Sequence, residues 1–330
     1  MINIWISILN WNDAASTINC VHSVRQSVVA KDVVTTLVVL DNGSAPSDWD
    51  KLSQELSDTD IKLIRQATNT GFASGHNVVI KKAIQQNADY IWLLNNDAIV
   101  KRDTLSGLID VISGTPNCGI ISPLIYALYD EQVVDFVGAM HDWHNLDAVR
   151  AKDLTDAKIM QANHPKDFFV HGTAPLIRTT ALINTGLLDE RLFAYYEDDE
   201  LCTRLSKAGW SSRMAFSVPI QHFRRKAVAV ERPPYFFYLM ARNSLLFYLT
   251  HTPREYRRCI RLRLFSRAMI KSAHLRANDQ SEKSNACLLG IWDGIRGRVG
   301  PPRLDIKPPA WLILLSNFFP YRLQQWLDKP

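Results

Sequence analysis

The amino-acid sequence predicts an α/β fold in which a mostly parallel sheet is covered by helices on both faces. In the first hundred residues, short apolar runs alternate with helix-like segments at the spacing of βαβ units. Polar residues stand where three of these runs end, and ligands of parallel sheets bind at the carboxyl ends of strands. A length of 330 residues with 47% hydrophobic residues is sufficient for a large core with a smaller appended region.

Seven elements are predicted in the first hundred residues, where apolar runs bounded by turn residues mark the strands. In chain order they are a strand at Ile2–Leu9, a helix at Ala14–Val28 capped by Asp13, a strand at Thr35–Leu40, a helix at Trp49–Leu56, a strand at Ile61–Arg65, a helix at Ala73–Gln86 and a strand at Tyr90–Leu94. The polar clusters lie at residues 10–12, 41–44 and 95–97. We expect one ligand to contact all three clusters.

The alternation weakens after residue 120. There we predict an irregular excursion at His141–His164, a strand at Phe168–Ile177, a helix ending near Gly186, a helix at Glu197–Ala208 and a strand at Trp210–Val218. From Pro233 onward the pattern is helical and is punctuated by prolines. The helices predicted there are Tyr235–Leu249, Glu255–Leu275, Ser284–Gly294 and Ala310–Leu327. This change predicts two domains, residues 1–230 and residues 231–330.

Cysteine use and hydropathy argue against several protein classes. The five cysteines lie far apart and form no CxxC pair, which argues against a disulfide framework and a structural zinc site. The sequence begins directly with a strand pattern rather than a basic leader, so we expect no secretory signal. Trp311–Phe319, the longest apolar stretch near the end, is shorter than the roughly 20 residues that span a bilayer. We therefore expect a cytoplasmic protein.

The overall net charge of +5 conceals an asymmetry between the two parts of the chain. Residues 1–221 contain 18 Lys/Arg and 26 Asp/Glu, whereas residues 222–330 contain 20 Lys/Arg and 7 Asp/Glu. Such a division indicates two surfaces with different partners. The acidic part is suited to holding metal and carrying chemistry, and the basic part to facing phosphates.

Carboxylates in two segments are candidates for the chemistry. Asp97 ends a predicted strand, where its oxygens would suit Mn²⁺ or Mg²⁺ unless it only caps a turn. The four consecutive carboxylates of residues 197–200 repel one another, although they would also complement the positive end of a helix. The aromatic run Phe193–Tyr196 precedes them. His222, at the end of a strand-like run, would complete a metal shell or serve as an ordinary histidine.

The segment Asn69–Asn77 connects a strand to a helix and is rich in small residues. Small residues let the backbone approach a ligand closely, and the N–H groups of a helix start attract phosphate. The segment lacks the GxGxxG pattern, so a tight turn explains its glycines equally well. On its own it predicts little about function.

Five strings, in order and at the right spacing, resemble the signature of family 2 glycosyltransferases with the GT-A fold. They are Ile8–Asn12, Val39–Ser44, Asn69–Asn77, Trp92–Asp97 and Tyr196–Arg204, and Tyr238–Asn243 matches a later Tyr-x-x-x-Arg-Asn pattern. The residues within these motifs are similar to those of the rhamnosyltransferase-like branch, which acts in bacterial polysaccharide and O-antigen synthesis. The resemblance covers roughly residues 2–250. It implies a Rossmann-like GT-A sheet, to which the helical pattern after Pro233 adds a C-terminal helical region.

The resemblance also implies roles for individual residues. Binding of a nucleotide-diphosphate sugar would fall to Asn10, Trp11, Asp41, Asn42, Gly71, Asn77, Asn95, Asn96, Arg242 and Asn243. Asp97 and His222 would bind Mn²⁺ or Mg²⁺, Asp198 would be the general base and Glu197 would orient the substrate. Asn95 stands where the family motif has its first Asp, which predicts weaker metal binding.

Within these roles, Trp11 would lie against the nucleoside and Asp41 would hydrogen-bond the base or ribose. Arg242 and Asn243 would sit near the diphosphate or the acceptor. A glycan or lipid-diphosphate-linked acceptor would attack the anomeric carbon in a single displacement that inverts it.

Two other enzyme classes fit the sequence poorly. A dinucleotide-dependent oxidoreductase would need the glycine fingerprint in its first βα turn, and a sugar-phosphate nucleotidyltransferase would need a Gly-rich basic loop after its first strand. Residues 10–13 are Asn-Trp-Asn-Asp and satisfy neither requirement. A non-catalytic glycan-binding or scaffolding protein remains an alternative. Among donors, the resemblance favours dTDP-L-rhamnose first and UDP-hexoses next.

The segment Arg254–Arg276 contains eight Lys/Arg interleaved with aromatic and aliphatic residues. No nucleic-acid-binding motif accompanies it, so we do not expect a nucleic-acid partner. A solvated helical face is one interpretation. We favour attraction to an anionic membrane surface on the inner face of the cell membrane or to a diphosphate-lipid acceptor.

Overall fold

The computed structural model describes residues 1–57, 59–127, 130–222 and 232–318, and the chain divides into two compact units. The first unit comprises Met1–His141, Ala148–Asp189 and Glu197–Lys226. The second comprises Asp142–Asp147, Glu190–Tyr196 and Ala227–Pro330. The boundary predicted near residue 230 lies outside the described residues. Two short segments within the predicted first domain, Asp142–Asp147 and Glu190–Tyr196, belong to the second unit.

The first unit has the predicted α/β fold. Its strands are β1 (Ile2–Asn10), β2 (Val33–Asp41), β3 (Lys62–Arg65), β4 (Tyr90–Asn95), β5 (Ala98–Val100), β6 (Cys118–Ala127), β7 (Asp130–Phe136), β8 (Ala139–Asp142), β9 (Asp147–Arg150), β10 (Phe168–Phe169), β11 (Leu176–Arg178) and β12 (Ser211–His222). Its helices are α1 (Ala14–Arg25), α2 (Pro46–Leu56), α3 (Gly71–Gln85), α4 (Thr104–Ser113), α5 (Leu154–Asn163), α6 (Thr179–Thr185) and α7 (Glu197–Lys207).

Among the described residues, nine strands form the main sheet. Eight follow the order β3-β2-β1-β4-β11-β6-β12-β5, and β7 pairs with β6. β1 runs parallel to β2 and to β4, with Asn10 opposite Asp41 and Leu9 opposite Asn95. This register brings the ends of β1, β2 and β4 to the same edge of the sheet. β11 and β5 run antiparallel to their neighbours, so the sheet is mostly rather than wholly parallel.

Local sequence accounts for the early elements. The Asp13 side chain accepts a hydrogen bond from Ser16 N–H and caps α1, as predicted. β4 is buried from Tyr90 to Leu94 because its apolar run lies in the centre of the sheet. One core extends from β1 to β12.

Several sequence predictions for the middle of the chain were wrong. His141–His164 is not irregular, since it contains β9, α5 and the end of β8. The two strands were missed because they are only four residues long, too short for a clear period. Phe168–Ile177 is not one strand, because residues 170–175 separate β10 from β11. Residues 98–127, for which no helix or strand was predicted, form β5, α4 and β6.

The second unit is helical in its C-terminal part, as predicted. Its helices are α8 (Pro234–His251), α9 (Ile260–Ala277), α10 (Ser281–Ile295) and α11 (Ala310–Phe318). The helix predicted at Glu255–Leu275 is interrupted, because Arg254–Tyr256 forms a short 3-10 turn and Cys259 is left-handed with φ 54°. The end of the helix predicted at Ala310–Leu327 lies outside the described residues. Within the described ranges, no helix has the length and apolar character needed to cross a bilayer.

Candidate active site

A buried amide–carboxylate network joins the ends of β1 and β2. Asn10 Nδ2 donates to Asp41 Oδ1 and to Asp48 Oδ2, both at 2.9 Å. Asn10 Oδ1 accepts a hydrogen bond from the Thr17 hydroxyl at 2.7 Å. Asn10 and Asp41 have no exposed surface. Asn10, which we predicted to contact a donor, therefore uses its amide to orient two carboxylates.

Trp11 and Asp41 differ sharply in their access to a ligand. Trp11, the first residue after β1, is 46% exposed and offers an aromatic surface beside the strand ends. The Asp41 carboxylate lies 3.7 Å from Arg65 Nε, and the Arg65 guanidinium lies 4.8 Å from the centre of the Trp49 ring. Contact between Asp41 and a base or ribose would require its side chain to move.

Asn42 closes the loop that leads into α3. Its Oδ1 accepts from Thr70 N–H at 3.1 Å, and its Nδ2 donates to the Gly71 carbonyl at 3.0 Å. Gly71 has φ +90°, a conformation that glycine adopts without steric penalty. Asn77 binds the backbone of Leu188 through both ends of its amide. In the described structure Asn42 and Asn77 shape the loop and anchor the helix.

Asp97 and His222, the two predicted metal ligands, lie side by side. His222 ends β12 opposite Ala98 of β5, and its Nε2 is 3.2 Å from Asp97 Oδ1. Its Nδ1 lies 3.4 Å from Asp135 Oδ2, a neighbour that the sequence did not suggest. The side chains of Asp97 and His222 are 30% and 15% exposed, so both are open to a ligand.

The donor set at Asp97 and His222 fits a divalent cation that the substrate also coordinates. The described ranges contain no group of three or more His, Cys, Asp or Glu side chains that would hold an ion by themselves. One carboxylate and one imidazole leave most coordination positions for phosphate oxygens and water, as is usual for Mg²⁺ and Mn²⁺ sites with nucleotide substrates.

Asn95 and Asn96 connect the end of β4 to its surroundings. Asn95 N–H donates to the Thr173 carbonyl at 2.8 Å. Asn96 Nδ2 donates to the Thr17 hydroxyl at 3.1 Å. Because Thr17 also binds Asn10, all three predicted polar clusters are linked within the first unit.

The four carboxylates at the start of α7 have different surroundings. Asp198 Oδ2 accepts from Gly172 N–H at 2.9 Å, and its Oδ1 accepts from Asp199 N–H at 3.0 Å. Glu200 forms an ion pair with Arg204 at 2.7 Å, and Arg204 donates to three backbone carbonyls between residues 185 and 187. Glu200 is therefore a structural residue, whereas the Asp198 carboxylate accepts from two backbone N–H groups.

Burial changes the protonation of the residues on either side of Asp198. Two effects raise the pKa of Glu197 to about 8: the larger is desolvation by burial, and the smaller is repulsion from the charge of Asp198. Glu197 Oε2 is buried and has no hydrogen-bond partner among the described residues. The same two causes raise the pKa of Asp199 well above its usual range. At neutral pH Glu197 therefore favours the neutral form, which reduces the repulsion expected from four adjacent charges.

A site element that was not predicted lies between β10 and β11. Gly172 N–H binds Asp198, and a Cβ at Gly172 would lie 3.4 Å from Asp198 Oδ2. His171 Nδ1 is 2.7 Å from the Thr173 hydroxyl. The polar triplet His-Gly-Thr interrupts an apolar run, and this interruption was the available signal.

Arg242 and Asn243 serve the second unit rather than an exposed site. They are 2% and 0% exposed. Asn243 Nδ2 lies 2.8, 2.8 and 2.9 Å from the carbonyl oxygens of residues 192, 194 and 195. Arg242 donates to the carbonyls of Leu192 and Gly300. The structure does not support the predicted contact with diphosphate or acceptor, because these donors are engaged inside the unit.

The segment held by Arg242 and Asn243 has an unusual backbone. Phe193, Tyr195 and Tyr196 have φ values of 65°, 68° and 73°. In this left-handed region, the clash between Cβ and the backbone costs roughly 1–2 kcal/mol for each residue. Interactions elsewhere in the second unit must offset this energy.

Comparison with known proteins gives one family match and two groups of sequence relatives. The family described as "Glycosyltransferase like family 2" matches residues 3–237. A relative from Haloferax volcanii, "Low-salt glycan biosynthesis hexosyltransferase Agl10", is 26% identical over 175 residues, covering 52% of this chain and 53% of that protein. "N-acetylglucosaminyl-diphospho-decaprenol L-rhamnosyltransferase" of Mycobacterium tuberculosis is 25% identical over 226 residues, covering 62% of this chain and 71% of the relative. The chain thus spans about half the length of the first relative.

Two solved structures share the fold. Mannosyltransferase PcManGT from Pyrobaculum calidifontis, solved with GDP-Man and Mn²⁺, aligns with a TM-score of 0.56 at 13% identity over 88% of this chain and 86% of that one. S. aureus TarS, residues 1–349, aligns with a TM-score of 0.54 at 14% identity over 99% of this chain and 91% of that one. At these identities the likeness concerns the fold alone, which confirms the predicted GT-A architecture.

Proposed function

The chain belongs to the glycosyltransferase-like family 2, and from that membership we propose that it transfers a hexosyl or deoxyhexosyl residue from a nucleotide-diphosphate sugar. The acceptor is a hydroxyl of a glycan or lipid-diphosphate-linked glycan used in cell-surface polysaccharide. The transfer inverts the anomeric carbon.

The observation that carries this proposal is a short series of contacts joining the two halves of the site. Asp198 accepts from Gly172 N–H, and the next residue, Thr173, accepts from Asn95 N–H. Two residues after Asn95, Asp97 faces His222. One loop of the first unit thus ties the proposed base to the strand end where a diphosphate would bind. An in-line displacement needs such a fixed spacing between base and leaving group.

We assign removal of the acceptor proton to Asp198. Two backbone N–H groups fix the orientation of its carboxyl group. As the acceptor oxygen attacks the anomeric carbon, its proton passes to Asp198, and the nucleoside diphosphate leaves from the opposite face. General-base assistance of this kind contributes about 10²–10⁴ in rate. Glu197, largely protonated at neutral pH, would donate a hydrogen bond that orients the substrate.

The donor would lie along the strand ends of the first unit. Asp97 and His222 would hold Mn²⁺ or Mg²⁺, which when bound stabilises the charge that develops on the diphosphate. Trp11 would offer its exposed ring to the nucleobase. Asn10 orients the Asp41 carboxylate at the neighbouring strand end. Asn42 holds the loop at Gly71, where α3 begins. The N–H groups at the start of this helix would attract the phosphates of the donor.

Among donors, we propose dTDP-L-rhamnose first and UDP-hexoses second. The name of the Mycobacterium relative specifies L-rhamnosyl transfer to a diphospho-decaprenol-linked sugar, and the name of the Haloferax relative specifies hexosyl transfer. A lipid-diphosphate acceptor would also explain the basic charge of the C-terminal part. In the second unit, Arg254, Arg258 and Arg261 are exposed. They would draw the protein to the anionic inner face of the cell membrane.

The test is a panel of nucleotide sugars measured first by thermal shift and then by turnover, with and without Mn²⁺. A donor that binds the native state raises its melting temperature in proportion to occupancy. We expect a dTDP- or UDP-sugar to stabilise the protein and to be hydrolysed or transferred. Stabilisation by a glycan without turnover of any donor would favour the non-catalytic alternative, which Asn95 in place of an acidic residue makes worth testing.

A further inference from the structure

Residues 190–196, which we call the aromatic segment, lead directly into α7. The segment reads Glu-Arg-Leu-Phe-Ala-Tyr-Tyr and belongs to the second unit, whereas Glu197 and Asp198 open a helix of the first. Asp198 is only three positions after Tyr195. The aromatic segment is therefore joined directly, through the backbone, to the residues that open α7.

The local sequence does not favour the observed conformation. Three aromatic residues, Phe193, Tyr195 and Tyr196, are left-handed, a region that bulky side chains rarely adopt. The residue before a helix is normally extended, yet Tyr196 has φ 73° immediately before α7. Some other part of the second unit must impose this path.

Arg242 and Asn243 of α8 supply the constraint. Asn243 Nδ2 is within 2.9 Å of three carbonyl oxygens of the aromatic segment, at residues 192, 194 and 195. Arg242 donates to the carbonyl of Leu192 at 2.9 Å and, through Nε, to Asn243 Oδ1 at 3.0 Å. That second bond fixes the Asn243 amide so that its hydrogens point at the segment. Both side chains are almost fully buried, so water cannot replace these bonds.

Aromatic packing reinforces the same path. The Tyr195 ring lies edge-on to Phe236 at 5.1 Å, and the Tyr196 ring lies 5.5 Å from Phe247. Both partners are on α8, the helix that carries Arg242 and Asn243. One helix therefore holds the carbonyls and the rings of the segment together.

We propose that Arg242 and Asn243 are positioning residues for Asp198, an inference that rests on the proposed function. They act on the reaction by locking the aromatic segment in its left-handed path, and they bind neither donor nor acceptor. The residues proposed to bind the donor, from Asn10 to His222, lie in the first unit. Loss of the lock should therefore lower turnover without weakening donor binding.

The first experiment compares Asn243→Ala with Ser244→Ala. Ser244 is the next residue of α8, and its described hydrogen bond is to the Ala241 carbonyl of the same helix. We expect Asn243→Ala to lower kcat about 10²-fold, the effect of misplacing a catalytic group by about 1 Å. The Kd for the nucleotide sugar, measured by calorimetry, should stay within twofold. Ser244→Ala should change neither quantity more than twofold.

A second pair of variants isolates the backbone conformation. Tyr195→Gly and Tyr195→Ala both remove the ring, but only glycine adopts a left-handed φ without strain. Tyr195→Gly should therefore have a higher kcat than Tyr195→Ala. The ratio of these two kcat values should grow when Asn243→Ala is added to both variants. Without the Asn243 hydrogen bonds, the left-handed path depends on the conformational preference of residue 195 itself. This pair leaves α8 intact and remains informative if Asn243→Ala does not fold.

The outcomes separate this proposal from the proposed function. Equal kcat for the Gly and Ala variants, or a kcat of Asn243→Ala within threefold of wild type, would overturn the positioning role. So would a parallel loss of kcat and donor affinity. If the wild-type protein turns over no donor, the proposed function fails. Hydrogen exchange then tests separately whether Asn243 holds the aromatic segment in place. Peptides covering residues 190–203 should exchange faster in Asn243→Ala than in Ser244→Ala, and equal exchange would refute the lock.

Discussion

Replacing Glu197 by Gln should flatten the dependence of folding stability on pH. Burial raises the pKa of Glu197 to about 8 from an ordinary value of 4.5, so the folded protein keeps a proton that the unfolded chain releases. A state that binds more protons loses stability as the pH rises. The stability of wild type should therefore fall through the window between pH 4.5 and pH 8. Gln is neutral throughout and removes this contribution.

The size of the effect follows from the width of that window. Between pH 5.5 and 7.5, one proton separates the two states, and the free energy of unfolding falls by at most about 1.4 kcal/mol for each pH unit. Two units give an upper limit of about 3 kcal/mol. Because the Glu197 side chain as a whole is half-buried, solvent screening reduces this limit. We expect wild type to lose about 1–3 kcal/mol more than Glu197→Gln across these two units.

Urea unfolding at pH 5.5, 6.5 and 7.5 measures the difference directly. Glu282→Gln, an exposed glutamate in the first turn of α10, is the matched control and should leave the wild-type slope unchanged. Glu197→Gln can also be tested by its turnover, because wild-type turnover should decline above pH 8 as Glu197 ionises beside Asp198. Glu197→Gln should decline less. Parallel stability curves for wild type and Glu197→Gln would refute a protonated Glu197.

Three further predictions concern catalysis, metal and membrane. Asp198→Asn should keep donor binding and lower turnover at least about 10²-fold, because an amide cannot accept the acceptor proton. Asp97→Ala should abolish Mn²⁺-dependent donor binding, and His222→Ala should weaken it, as measured by calorimetry with and without the ion. The double variant Arg258→Gln and Arg261→Gln should reduce co-sedimentation with anionic vesicles, since each basic residue near such a surface contributes about 1 kcal/mol.

Each of these predictions has a control and a contradicting result. Asp110→Asn, on the exposed face of α4, should leave turnover unchanged, and near-wild-type turnover of Asp198→Asn would shift the base to a neighbouring carboxylate. Full activity in excess chelator would reject the role of Asp97 and His222 as metal ligands. For the membrane, a double variant of the exposed Arg25 and Arg102 is the control. Binding that is equal for neutral vesicles, or unaffected by salt, would contradict electrostatic attraction.

Much of the first unit could be predicted because local pattern and tertiary structure agree there. The apolar run from Tyr90 to Leu94 is long enough to identify a buried strand, and the Asp13 cap marks the start of α1 without any distant partner. Parallel strands with helical crossovers place their carboxyl ends at one edge. The meeting of the clusters at residues 10–12, 41–44 and 95–97 was therefore predictable from their positions after strands.

The assignment of roles within those clusters was less predictable. Asn10 and Asp41 look alike in the sequence as polar residues after strands, and both are buried in a shared network. Trp11, the next residue after Asn10, remains exposed. Burial depends on which elements pack over a residue, and neither its type nor its distance from a strand end specifies that.

What the sequence alone determined is the order of strands and helices from β1 to β4, the edge at which polar residues meet and the family to which the chain belongs. Only the tertiary structure revealed that Gly172 supports Asp198, that burial favours protonated Glu197, and that Arg242 and Asn243 hold the aromatic segment. The physical reason is the distance along the chain over which each interaction acts. Helix caps, turns and apolar periods act between neighbours in the chain, whereas hydrogen bonds to a carbonyl 50 residues away and desolvation of a carboxyl group depend on groups that folding alone brings together.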